Sequence, residues 1–242
     1  VHLPDGYQLF HHEVLESTND TAKAMAREGM AHGSVIVADH QSRGRGRRGN
    51  QWTSFAGNLY ISLILRETIA VKHAGQLSFL AAVALADAVS PLLKPDCRLE
   101  QKWPNDVWLN GGKLAGILLE SESLPSGGLD WLVIGMGVNV SAAPDDGAIL
   151  KGVTLSDISA QEIAEQFLIR LTKRLVEWRA DGFSPVRKAW LAKARGLESR
   201  ITVRLPRSEV HGIFKGIDED GCLILDTDNG QQKIASGDVF FG

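Results

Sequence analysis

Apolar and polar positions along this chain follow two rhythms, a helical period and the two-residue period of strands. ESTNDTAKAMAREG (16–29) has polar capping types ahead of an apolar face of Ala22, Met25 and Ala26. It predicts a helix capped by Thr18 or Asn19 and stopped by Gly29. SVIVADH (34–40) and NLYISLIL (58–65) predict strands. Leu77 to Leu93 is almost wholly apolar and predicts a long packed helix ending near Pro91 and Pro95. Its core, FLAAVALADAV, is too short to span a bilayer and contains Asp87, so no membrane association is expected.

Short strand-like runs follow: RLEQKW, DVWLN, GKLAGILLESE and DWLVIGMGVNV. Pro104, Asn110-Gly111-Gly112 and Ser126-Gly127-Gly128 separate them, and Asn110-Gly111 is a strong hairpin signal. SAQEIAEQFLIRLTKRLVEWRADG returns to the helical period, with Ser159 and Glu162 as a capping box and Ile163, Phe167, Leu171 and Leu175 on one face. From about Leu197 the texture changes to RITVRL, EVHGIFKGID, CLILD and QQKIASG, with turns at Asp220-Gly221 and Asn229-Gly230. This predicts a small β-barrel, of a size at which independent folding is marginal, so it should lean on the rest.

Composition narrows the function more than the fold. The 242 residues carry 26 lysines and arginines against 29 acidic residues, a formal charge of −3. That balance argues against a general polyanion binder and makes any anion site local. Cys97 and Cys222 have no metal-type or disulfide-framework spacing, and no leader pattern is seen at the start, so a cytoplasmic protein is expected.

The local anion site has an obvious candidate. SRGRGRRGNQW (42–52) places Arg43, Arg45, Arg47 and Arg48 among Gly44, Gly46 and Gly49. The glycines match G-x-G-x-x-G after a strand, but no amphipathic helix follows, so a dinucleotide loop lacks its helix dipole. A nucleic-acid patch needs a wider basic face or interleaved aromatics, and the nearby charge is mixed. The third reading is a clamp for a small phosphorylated intermediate. It gains from QKWPNDVWLNGGKLAGILLE (101–120), where Lys102, Asp106 and Lys113 fall near strand ends. A hairpin there can bring Lys113 towards Asp106, so that cations and a carboxylate gather where negative charge develops. A carboxylate so placed can hold Mg²⁺ or orient an incoming amine.

Taken in order, ESTND, HQSRGRGRRGNQW, GNLYISLIL, KWPNDV, GKLAGILLE and IGMGVNV closely resemble biotin–protein ligase, from about residue 12 to 140. The resemblance implies an α+β fold: a mixed sheet flanked by helices, of class II synthetase type, over 1–195, and an SH3-like barrel over 196–242. It implies biotin and ATP as substrates with Mg²⁺, formation of biotinyl-5′-adenylate, and transfer to a lysine of a biotin carboxyl carrier protein. Carried over by position, Ser17, Thr18 and Asn19 resemble the biotin-contacting turn, and Gln41, Arg45, Gly46 and Arg47 the biotin and adenylate loop. Arg48 and Trp52 look like phosphate and adenine neighbours, and Lys113 like the lysine on the activated carboxyl. Gly116, Leu118 and Gly135 would line the biotin pocket, with Gly137 leaving room beside it, and Asn139 would bind adenine. Lys102 and Asp106 resemble residues near the phosphates and the acceptor lysine, with Asp106 the Mg²⁺ candidate. Only sixteen residues precede Ser17, too few for the DNA-binding domain of some relatives, so no DNA partner is expected. The oligomeric state varies in the family, and a homodimer is among its states. The arginine loop would be mobile when empty and ordered by the adenylate. Rival readings are a lipoate or octanoyl ligase of the related fold, and a nucleic-acid-binding module.

Overall fold

The computed structural model describes residues 3–67, 70–125 and 127–241; Ser126 of the predicted glycine break lies outside them. Seven strands form one sheet in the order β1 (Gln8–Leu15), β2 (Ser34–Gln41), β3 (Leu59–Leu65), β7 (Leu129–Val138), β6 (Gly112–Ser123), β5 (Asp106–Leu109) and β4 (Leu99–Lys102). Only β1 and β2 run parallel; every other neighbour is antiparallel, so the sheet is mixed.

Helix α1 (Thr18–Arg27) covers one face through Ala22 and Ala26, which pack with Ile36, Ile64, Trp131 and Val133. Helices α2 (Gln76–Val89) and α3 (Ala160–Asp181) cover the other. Apart from Asp87, α2 is buried all round, which explains its lack of an amphipathic stripe. Asp87 meets Arg174 of α3 at 2.8 Å, so the one charge of this apolar helix has a partner. The stretch Val71–Leu92 is long and apolar enough to cross a membrane by composition, but most of it is buried inside the molecule. The Ser159–Glu162 capping box is present, and the four predicted apolar positions of α3 are all buried.

Sequence periodicity passed over three elements. Strand β1 is an edge with no fully buried residue, so its alternation is blurred. Helix α4 (Ser184–Leu191) is short and buries only Val186 and Trp190. The third is β12 (Asp238–Phe241), four residues long. The cap of α1 also differs: Ser17 is extended and its hydroxyl accepts from the Asp20 amide, while Thr18 and Asn19 lie inside the helix with buried side chains. The Asn110-Gly111 turn joins β5 to β6 as predicted, both residues having positive φ (50° and 87°) as a type I′ turn requires.

Strands β8 (Arg200–Arg204), β9 (Glu209–Ile217), β10 (Leu223–Thr227), β11 (Gly230–Ile234) and β12 form a second, antiparallel sheet of SH3-like size, ordered β11-β10-β9-β8-β12. Its apolar side is continuous with the main core. Phe79, Trp190 and Phe214 stack edge to face across the junction, with ring centroids 5.3 and 6.5 Å apart. Trp103 donates to the Gly221 carbonyl at 3.0 Å and Gln76 to that of Glu219 at 2.8 Å. This small sheet therefore leans on the larger part, as its size demands.

Candidate functional site

On the α1 side of the sheet, the arginine loop folds over the ends of β6 and β7. Its neck is closed by the Trp52 amide on the Gly44 carbonyl at 2.9 Å and an Arg45–Gln51 bridge. Its tip turns through Arg47–Gly49, where Arg48 has φ 54° and Gly49 φ 79°. No helix follows, which removes the dinucleotide reading on structural grounds.

Beneath the loop lies a cleft lined by Ser17, Thr18, Asn19, Gln41, Arg45, Gly46, Arg47, Trp52, Asp106, Lys113, Gly116, Leu118 and Gly135. Its floor follows from strand alternation: Gly116 and Leu118 on β6 present the same face as Gly135 and Gly137 on the paired β7. The glycines are steric requirements. A Cβ at Gly135 would collide with the Asn19 carboxamide, and one at Gly137 or Gly116 with the Trp52 indole.

One end of the cleft is neutral. Gln41 Oε1 accepts from the Thr18 amide at 2.8 Å and its hydroxyl at 3.1 Å, which leaves the Gln41 amide nitrogen as a donor for a ligand. Ser62 Oγ sits 2.6 Å from Asn19 Oδ1 and 2.8 Å from Thr18 Oγ1. The three residues of the Ser17–Asn19 turn are all buried.

The other end is charged. The Lys113 ammonium is 2.8 Å from Asp106 Oδ1 and 5.4 Å from the centre of the Trp52 ring. Arg47 donates to Asn105 at 3.1 Å; burial and the neighbouring Arg48 charge lower its pKa. Arg48 reaches across to the small sheet, donating to Asp238 and Ser236, each at 2.9 Å. Burial likewise lowers the Lys102 pKa, against the pull of Asp106.

A second pocket adjoins the first and shares Trp52 and Lys113 with it. Asn139 lines it. The Asn139 amide nitrogen donates to the Lys113 carbonyl at 3.1 Å, while its buried Oδ1 has no hydrogen-bond partner among the described residues. A buried amide oxygen left open is an acceptor waiting for a donor.

Three sequence-derived candidates stand apart from the first cleft. Lys102 turns its ammonium onto the rings of Trp108, Phe241 and Phe240, at 4.7, 5.7 and 5.9 Å. Arg48 is held by the small sheet, and Asn139 belongs to the second pocket. Arg45 borders the cleft, but its guanidinium pairs with Asp20 and Glu120. Burial opposes that charge, yet the two carboxylates outweigh it and raise the Arg45 pKa.

Sequence reasoning missed Asn105 and Asp238, which also line the cleft. Asn105 sits inside the KWPND motif, so its position was signalled. Asp238 comes from the far end of the chain and carried no local signal. Among the described residues no three of His, Cys, Asp and Glu gather as metal ligands. Asp106, already faced by Lys113, fits a cation brought in on phosphates better than a cage built by the protein.

Comparison with known proteins bears on the same segments. The Biotin/lipoate A/B protein ligase family model matches residues 12–139, and the Biotin protein ligase C terminal domain model matches 196–242. The chain is 44% identical over 238 residues to the Biotin--[acetyl-CoA-carboxylase] ligase of Paracoccus denitrificans, covering 94% of this chain and 98% of that protein. It is 34% identical over 246 residues to the Bifunctional ligase/repressor BirA of Bacillus subtilis, covering 98% of this chain and 75% of that one. Its fold is similar to the biotin protein ligase of Aquifex aeolicus solved with biotin and ATP, at TM-score 0.80 and 26% identity, covering 96% and 97% of the two chains.

Proposed function

The chain belongs to the biotin protein ligase family, and on that premise we propose how its two adjoining pockets divide the family's reaction. The enzyme is an ATP-dependent ligase. A biotin carboxylate oxygen attacks the α-phosphorus of ATP, the bond to pyrophosphate breaks, and biotinyl-5′-adenylate forms. A lysine amine of a carboxyl carrier protein then attacks the acyl carbon, the C–N bond forms, and AMP leaves.

The observation that carries the assignment is the shared wall. Lys113 and Trp52 line both pockets, so a molecule occupying both has its middle at the Lys113 ammonium. The neutral end takes the biotin ring: the Thr18–Asn19–Gln41 group supplies directional hydrogen bonds, and Gly135 leaves the room that the Asn19 carboxamide occupies. The second pocket takes adenine, whose exocyclic amine suits the open Asn139 oxygen. Lys113 and Arg47 stabilise the charge gathering at phosphorus, as fixed cations do in a site closed to water. Gly46 lets the loop pass close to the adenylate, and the lid keeps out water that would hydrolyse it. Lys102 and Arg48, anchored beside the cleft, add to the field at the phosphates. Asp106, in the cleft beside Lys113, would be the carboxylate to hold a Mg²⁺ brought in on ATP, and that cation would neutralise phosphate charge.

The same reading divides the chain into a catalytic domain, 1–195, and a terminal domain, 196–242. It sets the protein in the cytoplasm, where its two free cysteines stay reduced. The test is incubation with apo carrier protein, labelled ATP and either biotin or lipoate. Acylation with biotin alone is expected; acylation with lipoate alone would replace this reading with the rival one.

A further inference from the structure

Glu120 ends the GKLAGILLE segment, and neither pocket includes it. It nevertheless joins the Asn19 turn to the neck of the arginine loop. It follows Gly116 and Leu118 on the same face of β6, which brings its carboxylate beneath both α1 and the neck of the arginine loop. There it accepts from Asn19 Nδ2 at 3.0 Å and from Lys23 Nζ at 2.7 Å. It also meets Arg45 Nη1 at 3.1 Å through Oε1 and 3.2 Å through Oε2. Asp20 completes the group, 2.9 Å from Lys23 and 2.5 Å from Arg45.

Two carboxylates thus balance two cations, and the Glu120 side chain is mostly shielded, at 19% exposure against 46% for Asp20. A charge-assisted contact is worth more where water is excluded. The geometry has a direction. Asn19 is fixed on its far side by Ser62 and lies against Gly135, so its remaining freedom is set by Glu120 and the Leu118 carbonyl. Arg45 stands at the loop's neck, bridged to Gln51 and two residues before Arg47.

We propose that Glu120 is a positioning residue that fastens the biotin-gripping turn and the neck of the lid to the same strand. The proposal rests on the reading of the cleft as a biotin–adenylate site. Through Asn19 the carboxylate sets the affinity for biotin, and through Arg45 it sets how long the adenylate is kept.

The two arms can be separated. Glu120→Gln keeps an acceptor for Asn19 but removes the charge that Arg45 and Lys23 need. It is expected to release preformed biotinyl-adenylate about tenfold faster, the scale of one lost charge-assisted hydrogen bond, with a smaller change in biotin affinity measured calorimetrically without ATP. Glu120→Ala removes both arms and should weaken biotin binding and adenylate retention alike. A purely structural role would instead lower Tm and move both readouts together in either variant. Should Glu120→Ala not fold, a cycle of Glu120→Gln with Arg45→Gln decides: adenylate release in the double variant should be no faster than in the quicker single one. Additive effects of the two, or wild-type biotin affinity and adenylate retention in Glu120→Ala, would overturn the proposal. A wild-type chain that binds no biotin would sink the functional reading itself, and calorimetry on wild type shows that separately.

Discussion

The two ends of the cleft share one strand pair but solve opposite problems. Around Asn19 the groups that face the cleft are neutral and buried: a turn held by Gln41 and Ser62, braced from behind by the Glu120 carboxylate, with Gly135 opposite leaving no slack. Around Lys113 the groups are charged, and Lys113 and the loop arginines Arg47 and Arg48 are each held by a partner from KWPND or the small sheet. On the function proposed above, the difference separates the end that recognises from the end that reacts. Neutral hydrogen bonds discriminate shape and are satisfied equally in ground and transition states, so they set KM. Fixed charges act where charge changes during the reaction, so they set kcat.

The sharpest way to break this division is at the charged end. Lys113→Ala is expected to slow adenylation by about 10²- to 10³-fold, the usual effect of one lost electrostatic donor. Pyrophosphate release in a single turnover measures it, and biotin affinity should change far less. If biotin binding falls as steeply as the rate, the two ends are not distinct.

Gly135→Ala probes the neutral end with a smaller expected effect. The added methyl must displace the Asn19 carboxamide from its partners, and each lost hydrogen bond weakens binding by about tenfold. A higher KM for biotin with a largely preserved kcat is the expected kinetic split; a kcat defect at saturating biotin would contradict it.

The smallest effect concerns pH. Burial lowers the folded-state pKa of Lys102, so this ammonium loses its proton at lower pH than an ordinary lysine. As pH rises through that value the positive field near the phosphates falls, and kcat/KM for ATP should decline below the ordinary lysine range. Arginine keeps its charge throughout, so Lys102→Arg should flatten that limb. A limb unchanged in the variant would assign it to another group. The same shift carries a stability sign: between the folded and unfolded pKa values the unfolded chain binds the proton more strongly, so Lys102 contributes a stability that rises with pH there.

Much of this was written locally. The arginine loop, the Asn110-Gly111 turn, the α3 capping box and the approach of Lys113 to Asp106 are short-range features, fixed by residues a few positions apart. Strand alternation likewise predetermined that Gly116, Leu118 and Glu120 share a face. Burial of α2 could also be read from its lack of any polar stripe.

Other features needed the folded chain. Edge strand β1 buries no residue completely, so its pattern carries little signal until β2 pairs with it. Asp238 reaches Arg48 across 190 positions, and Glu120 reaches Arg45 across 75. The same holds for Lys102, whose place in KWPND is local while its cover of Phe240 and Phe241 comes from the last strand. The sequence by itself determined which chemical groups exist and which neighbours share a strand or helix face, because backbone geometry repeats every few residues. Only the tertiary structure decided which of those groups lost water and which found a partner of opposite charge, because desolvation and Coulomb energy depend on distance in space rather than along the chain.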